Sequence, residues 1–266
     1  MANTSYPKGA QKLLGAAVNL LVDTIKVALV PSAYTFSTSH EFLSDLGTRV
    51  GTDQTLTNKS VTGGVLDADD LDFGTLAPGS TVKAIVIYKD TGNASTSPLL
   101  FYIDTAPGLP FATNGGIVAV PWDNGVKKVA RLNLPFFPKG GEKVLSGAVN
   151  FSTDVLSVVA LPSGYVYDPA HEFLADVGTP IGAPILLANK TITGGVFDAD
   201  DVDFGALAAG STIGSLAIYK DTGNPATSPL LLRTADVTGF PLATSGTNVA
   251  ARWSNGTAKI FSLVPA

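Results

Sequence analysis

Two Asp-Thr-Gly triplets, Asp90-Thr91-Gly92 and Asp221-Thr222-Gly223, stand 131 positions apart, each inside the longer match Tyr-Lys-Asp-Thr-Gly-Asn. Two carboxylates supplied by an internal duplication could share a proton and activate water, the arrangement that lets one acid stay protonated while its twin is ionised. The flanking residues oppose that chemistry. Lys89 and Lys220 directly precede the aspartates, and a neighbouring ammonium favours the charged carboxylate and works against proton sharing. The same residues read as a turn, with Asp90 and Asp221 accepting from backbone N–H groups and Gly92 and Gly223 at positive φ. That reading makes them structural and leaves the catalytic set empty.

Other residue clusters with chemical potential weigh the same way. Asp67, Asp69, Asp70 and Asp72 recur as Asp198, Asp200, Asp201 and Asp203 and could offer oxygen ligands to calcium, but they lack the glycine and distal bidentate glutamate of an EF-hand loop. Alternation points Leu71 and Phe73 inward and Asp70 and Asp72 to solvent, so a hairpin turn with outward charges is expected there, and neither metal nor cofactor. His40 and His171, the only histidines, precede Glu-Phe-Leu in equivalent places and read as helix-start or interface residues. Trp122 and Trp253 sit in phase with Val118 and Val120, which predicts core packing over a glycan-stacking platform. Asn58-Lys59-Ser60 fits a glycosylation pattern too common to carry weight alone.

The elements that must position these residues form a tandem repeat. Positions 7–132 and 138–263 align without an insertion or deletion, and 64 of the 126 aligned positions are identical. Loops of equal length at half identity point to loops held in shape by contacts, since free surface loops tolerate length changes. The expected organisation is a first β module over 1–132, a short apolar linker over 133–137 (Asn133-Leu134-Pro135-Phe136-Phe137) and a second module over 138–266. The prolines stiffen the linker and its Leu and two Phe are expected to be buried, docking the modules on each other.

Within each copy a short helix is predicted over Lys8 to Val18 (Lys139 to Val149), then a strand from Thr24 to Val30. A second short helix is expected with Ser37 or Asp168 as N-cap and Gly47 or Gly178 at its end. From Leu56 onward the signals are β: Val61 to Leu66, Leu71 to Phe73, and Val82 to Tyr88, where large Ile85 and Ile87 face the core and small Ala84 and Val86 meet another layer. Leu99, Phe101 and Ile103 alternate with Leu100 and Tyr102. Asn124-Gly125 and Asn255-Gly256 read as two-residue hairpin turns leading to Val129 and Leu132. The fold class is therefore mainly β: two tandem antiparallel sandwich- or barrel-like modules, each with a short N-terminal helix.

Composition narrows the partners. Net charge is −5 with no basic cluster, which leaves no electrostatic footprint for nucleic acid or an anionic membrane. Cysteine is absent, removing disulfides, thiolate nucleophiles and zinc-thiolate sites together. The apolar stretch Leu13 to Val22 is too short for a membrane span, and its counterpart Val144 to Phe151 lies inside the chain, where a cleaved signal has no place. Charged residues make up only 15% of the chain, which predicts much surface hidden against other subunits. The first copy carries 10 Lys+Arg and 11 Asp+Glu, the second 7 and 11, so the two meet unlike surroundings.

Taken in order, Asp23 to Val30, His40 to Asp45, Thr62 to Asp70, Ile87 to Gly92 and Gly108-Leu109-Pro110 resemble a family of structural proteins of tailed bacteriophages, about 130 residues long, matched nearly end to end by each repeat. The second copy departs most at Leu232 to Asp236, which puts equal surface roles for the two modules in doubt. The resemblance implies a virion component assembled in the host cytoplasm, a capsid decoration (cement) protein that binds the major capsid protein or other virion proteins, with no catalytic residues. A tail or fibre protein adhering to host glycans is the alternative. The duplication and low charge lead to the expectation of a homotrimer with six similar β units around one axis.

Overall fold

The run from Val82 to Tyr88 is apolar on both faces, so a strand formed there needs cover on each side, and the first module is arranged to supply it. A computed structural model describes residues 4–132, 136–235 and 238–264. In chain order the first module contains β1 (Thr4–Ser5), α1 (Pro7–Leu14), β2 (Ile25–Pro31), a 3-10 turn (Leu43–Leu46), β3 (Val50–Thr55), β4 (Ser60–Thr62), β5 (Val65–Asp67), β6 (Leu71–Thr75), β7 (Thr81–Lys89), β8 (Leu99–Ile103), β9 (Phe111–Ala112), β10 (Ile117–Val120) and β11 (Ala130–Arg131). The main antiparallel sheet runs β1-β8-β7-β2-β3 with β9 also on β7, and two small sheets, β10-β6 and β11-β5-β4, lie apart from it.

The chain is mainly β, with antiparallel sheets in two sandwich-like modules. One face of the main sheet presents Val27, Leu29, Ile85 and Ile87 to Leu66, Phe73, Val120 and Trp122 from the small sheets. The opposite face, Ala28, Val30, Ala84, Val86 and Tyr88, is covered by Tyr6, Tyr34, Leu43 and Leu46. Small residues on that face admit the covering tyrosines, while the large ones on the other fill the sandwich. The second module repeats this: its main sheet orders Ile181–Leu186, Leu156–Pro162, Thr212–Lys220 and Leu230–Thr234, with separate clusters on its two faces.

Several local expectations are corrected. The helix α1 ends at Leu14, with its partner α2 at Pro138–Leu145, four residues short of the predicted end. Gly15 caps α1 by donating to Gln11 O, and Ala16 turns to φ 54°, a left-handed conformation that stops a helix. The second helix is a four-residue 3-10 turn begun at Phe42, not Ser37. Asp45 reaches back to the N–H groups of Glu41 and Phe42 at 2.7 and 2.9 Å, while Ser37 only turns its own segment onto Ser39. Val61 to Leu66 is not one strand but the β4/β5 hairpin, turning at Gly63 and Gly64 with φ of 59° and 75°. The acidic run is a crossing between sheets, since β5 pairs with β4 and β11 and β6 pairs with β10. A bulge opposite Ile87 and Tyr88 shifts β8, so Leu100 and Phe101 both enter the sandwich core while Leu99 and Tyr102 face the other layer.

Asn124-Gly125 and Asn255-Gly256 do not make the hairpins read from the sequence. The two-residue turn needs positive φ, neither glycine has it, and β10 and β11 pair with different sheets. Gly125 N–H instead donates to Asp123 Oδ1 (3.0 Å) and Gly256 N–H to Ser254 Oγ (3.0 Å) within broader loops. Of the linker, Phe137 is buried and Phe136 half-buried, whereas Asn133, Leu134 and Pro135 lie outside the described residues, as does Asp236.

Candidate functional site

The end of β7 carries Asp90 into the exposed 91–96 loop. Asp90 Oδ1 accepts from Gly92 N–H at 2.9 Å, and Gly92 takes φ 82°, a conformation open to glycine at little cost. Thr91 N–H donates to buried Ser97 Oγ (3.0 Å), and Ser97 Oγ donates to Asn93 O (2.8 Å). The second copy repeats these bonds: Gly223 N–H to Asp221 Oδ1 at 2.8 Å, Thr222 N–H to Ser228 Oγ at 3.1 Å and Ser228 Oγ to Asn224 O at 2.9 Å. Asp90 also pairs with Lys26 at 2.6 Å. That ammonium, with the Gly92 N–H, holds the carboxyl below the usual carboxylate range. Ser157 stands at the position of Lys26 in the second copy. Each aspartate is thus engaged within its own module.

The acidic run is likewise distributed among separate partners. Asp67 meets Lys128 (3.4 Å), Asp69 accepts from Thr57 and Asn58, Asp70 from Trp122 N–H (2.8 Å) and Asp72 from Gly74 N–H (2.7 Å). Among the described residues no group of three or more acids and histidines is placed to hold a metal. The indole N–H of Trp122 donates to Asp69 O (3.0 Å) and that of Trp253 to Asp200 O (2.8 Å), so both rings anchor the crossing to the core. Trp122 is 4% exposed, too covered for a stacking platform, whereas Trp253 is only half-buried, packed against the edge of the second core.

His40 is joined to the tyrosines over the second face of the sheet. Its Nδ1 lies 2.8 Å from Tyr34 Oη, which lies 2.7 Å from Tyr6 Oη; His171 meets Tyr165 Oη at 2.7 Å, and Phe137 replaces the third member. Burial pushes the Tyr6 hydroxyl far above its ordinary value, and burial with the nearby Asp104 pushes Tyr102 up to about 12. A second network is confined to the first module. Tyr88 Oη donates to Asp53 Oδ2 (2.7 Å), and Asp53 pairs with Arg49 (3.0 Å); Pro184 and Pro180 replace both charges in the second. These groups stiffen a covering layer, and the hydrogen bonds of both histidine rings among the described residues go to tyrosine hydroxyls.

Sequence reasoning missed the seam between the modules. Leu14 of α1 belongs to the core of the second module, and Leu145 of α2 to the core of the first. Leu20 N–H donates to Leu145 O and Phe151 N–H to Leu14 O, both at 2.9 Å. Glu142 Oε1 accepts from Gly63 N–H (2.8 Å) while Gln11 Oε1 accepts from Gly194 N–H (3.1 Å). Every contact in this set returns with the modules exchanged, so the seam is an isologous, pseudo-twofold interface. The signal lay in Leu13-Leu14 and Val144-Leu145. Two adjacent apolar positions on an eight-residue helix make a stripe too wide for one partner: Leu13 serves its own module and Leu14 the other.

Each module also bears a cleft beside its tryptophan loop, about 850 Å³ in the first and 590 Å³ in the second. No helix among the described residues is long and apolar enough to cross a membrane. No protein-family model and no curated protein matches the chain.

Proposed function

We propose that this chain is a non-enzymatic structural protein of a tailed-bacteriophage virion: a capsid decoration protein that binds the outside of the head and stabilises the shell. The observation that carries the proposal is the 90–97 loop and its 221–228 counterpart. Six residues of each are exposed, yet each is locked by the same side-chain to backbone bonds. A loop that is exposed, inflexible and unvaried in length has a shape suited to meeting a fixed neighbouring surface, with little ordering entropy to lose on contact. The reciprocal seam supports the same reading. By exchanging leucines it joins both modules into a two-module body able to bridge neighbouring shell subunits, and binding the assembled shell stabilises it by mass action.

The low charge and the exposed apolar side chains Val22, Ile117, Val155, Val166 and Leu186 favour further self-association, and the oligomer we propose is a homotrimer. Because an isologous seam closes on itself, a single rotation does not relate all six modules. The trimer is three pseudo-twofold bodies. Sedimentation at micromolar concentration is expected to give the mass of three 27.3 kDa chains; a monomer overturns the trimer. Mixing the protein with undecorated heads and with isolated tails is expected to label heads alone, and labelling of tails would replace this reading with the adhesive one.

A further inference from the structure

The two clefts have the same architecture but differ in whether the cations at their rims are paired. In the first, Ile85, Val120 and Trp122 form an apolar floor between the 105–110 segment and the 121–127 loop, and Lys127 and Arg131 stand at the rim. Both side chains are exposed, and neither has an ion pair or side-chain hydrogen bond among the described residues. Asp123, the acid in this lining, is occupied by the N–H groups of Gly125 (3.0 Å) and Lys127 (3.2 Å). Neighbouring Lys128 is paired with Asp67. The rim therefore carries two cations against one hydrogen-bonded carboxylate.

The second cleft shows what the same fold does without that feature. Ala258 and Ser262 occupy the positions of Lys127 and Arg131. Its own cations are consumed locally, Arg252 by Asp201 at 2.9 Å and Lys259 by Asp198 at 3.4 Å. The first cleft also extends further. Gly125, Val126 and Arg131 line a second depression of about 410 Å³ on the other side of the loop, and Val126 between them is 70% exposed. That depression is lined by Ser60, Thr62 and Val65 and by Asp67, whose charge is paired with Lys128. The two hollows together are longer than a compact ligand fills, and an extended segment with side chains to alternate sides matches them. Unpaired cations at an apolar rim select an occupant that brings carboxylates, which gain charge-assisted hydrogen bonds there.

We propose that the first-module cleft docks an extended, acidic and apolar peptide segment of a partner protein. A large apolar side chain of that segment enters above Trp122, and flanking carboxylates meet Lys127 and Arg131. The inference does not depend on which assembly the protein joins.

Calorimetric titration of the full chain tests this with three probes: a capped heptapeptide of alternating glutamate and phenylalanine, its lysine and phenylalanine counterpart, and 4-phenylbutanoate. The acidic peptide is expected to bind, the basic one not to, and 4-phenylbutanoate to bind at least tenfold more weakly than the acidic peptide. The double variant Lys127→Gln/Arg131→Gln, with an unchanged melting temperature, is expected to weaken the acidic peptide at least tenfold; the single variants, each expected to weaken it severalfold, serve if the pair fails to fold. Absence of acidic-peptide binding at millimolar concentration, equal binding of both peptides, unaltered affinity in the variants, or 4-phenylbutanoate binding as tightly as the peptide would each overturn the proposal.

Discussion

Truncation of Leu14 separates a docked pair of modules from a tethered one. Leu14 is fully buried, lies on α1 of the first module, and packs with Val144, Val149, Phe151 and Leu231 of the second. Leu14→Ala removes three heavy side-chain carbons from that core, and a buried Leu→Ala change costs about 2 to 5 kcal/mol. Taking ~3 kcal/mol, and ~2 to 4 °C per kcal/mol for a chain of this size, the melting temperature drops by roughly 6 to 12 °C. The two tryptophans, Trp122 and Trp253, report one module each. Labelling both with 5-fluorotryptophan gives two 19F resonances without altering the sequence. The Trp253 resonance is expected to lose its native shift at the lowered temperature in Leu14→Ala, and Leu145→Ala is expected to act on Trp122 in the same way. If Leu14→Ala moved the Trp122 transition and left Trp253 at its wild-type temperature, the exchange of leucines would be refuted.

The turn aspartates differ in what they hold. Asp90→Ala removes the Gly92 bond and a partly exposed ion pair with Lys26, together about 1 to 2 kcal/mol; Asp221→Ala, lacking that pair, costs about 1 kcal/mol or less. Urea midpoints at pH 7 measure the difference, and equal effects would count against the Lys26 contact. Acid titration tests the same groups. Asp90 is held low by Lys26 and the Gly92 N–H, and Asp176 by the N–H groups of Phe173 and Glu172. Asp45 is held low because donors from Phe42 and Glu41, with His40, outweigh its burial. A depressed folded value means stability fully present above the unfolded aspartate value of about 3.9 and lost as pH falls from there through the depressed one. Melting temperature is therefore expected to hold above about pH 5 and fall steeply below pH 4, less so in Asp90→Asn.

Much of the scaffold was legible because it rests on strong local patterns. The alternation of large and small residues in Val82 to Tyr88 placed Ile85 and Ile87 in one core and Ala84 and Val86 against another layer. Asp-Thr-Gly read as a corner because its preceding lysine argued against acid chemistry. The β4/β5 hairpin was hidden because three-residue strands carry too few alternations to show a period. Asn124-Gly125 misled because its turn chemistry is satisfied from outside the dipeptide, by Asp123. The seam depends on a contact between positions more than 100 residues apart, which no local pattern encodes. The rim cations of the first cleft became distinctive only when the structure showed which other charges were already paired.

The proposed coating of a phage head is tested most directly by electron cryomicroscopy of phage heads assembled with and without the protein. Density matching the pseudo-twofold, two-module body is predicted on the outer surface of the head and absent from heads assembled without the protein. Heads with no such density, or the same body found on the tail, would contradict it.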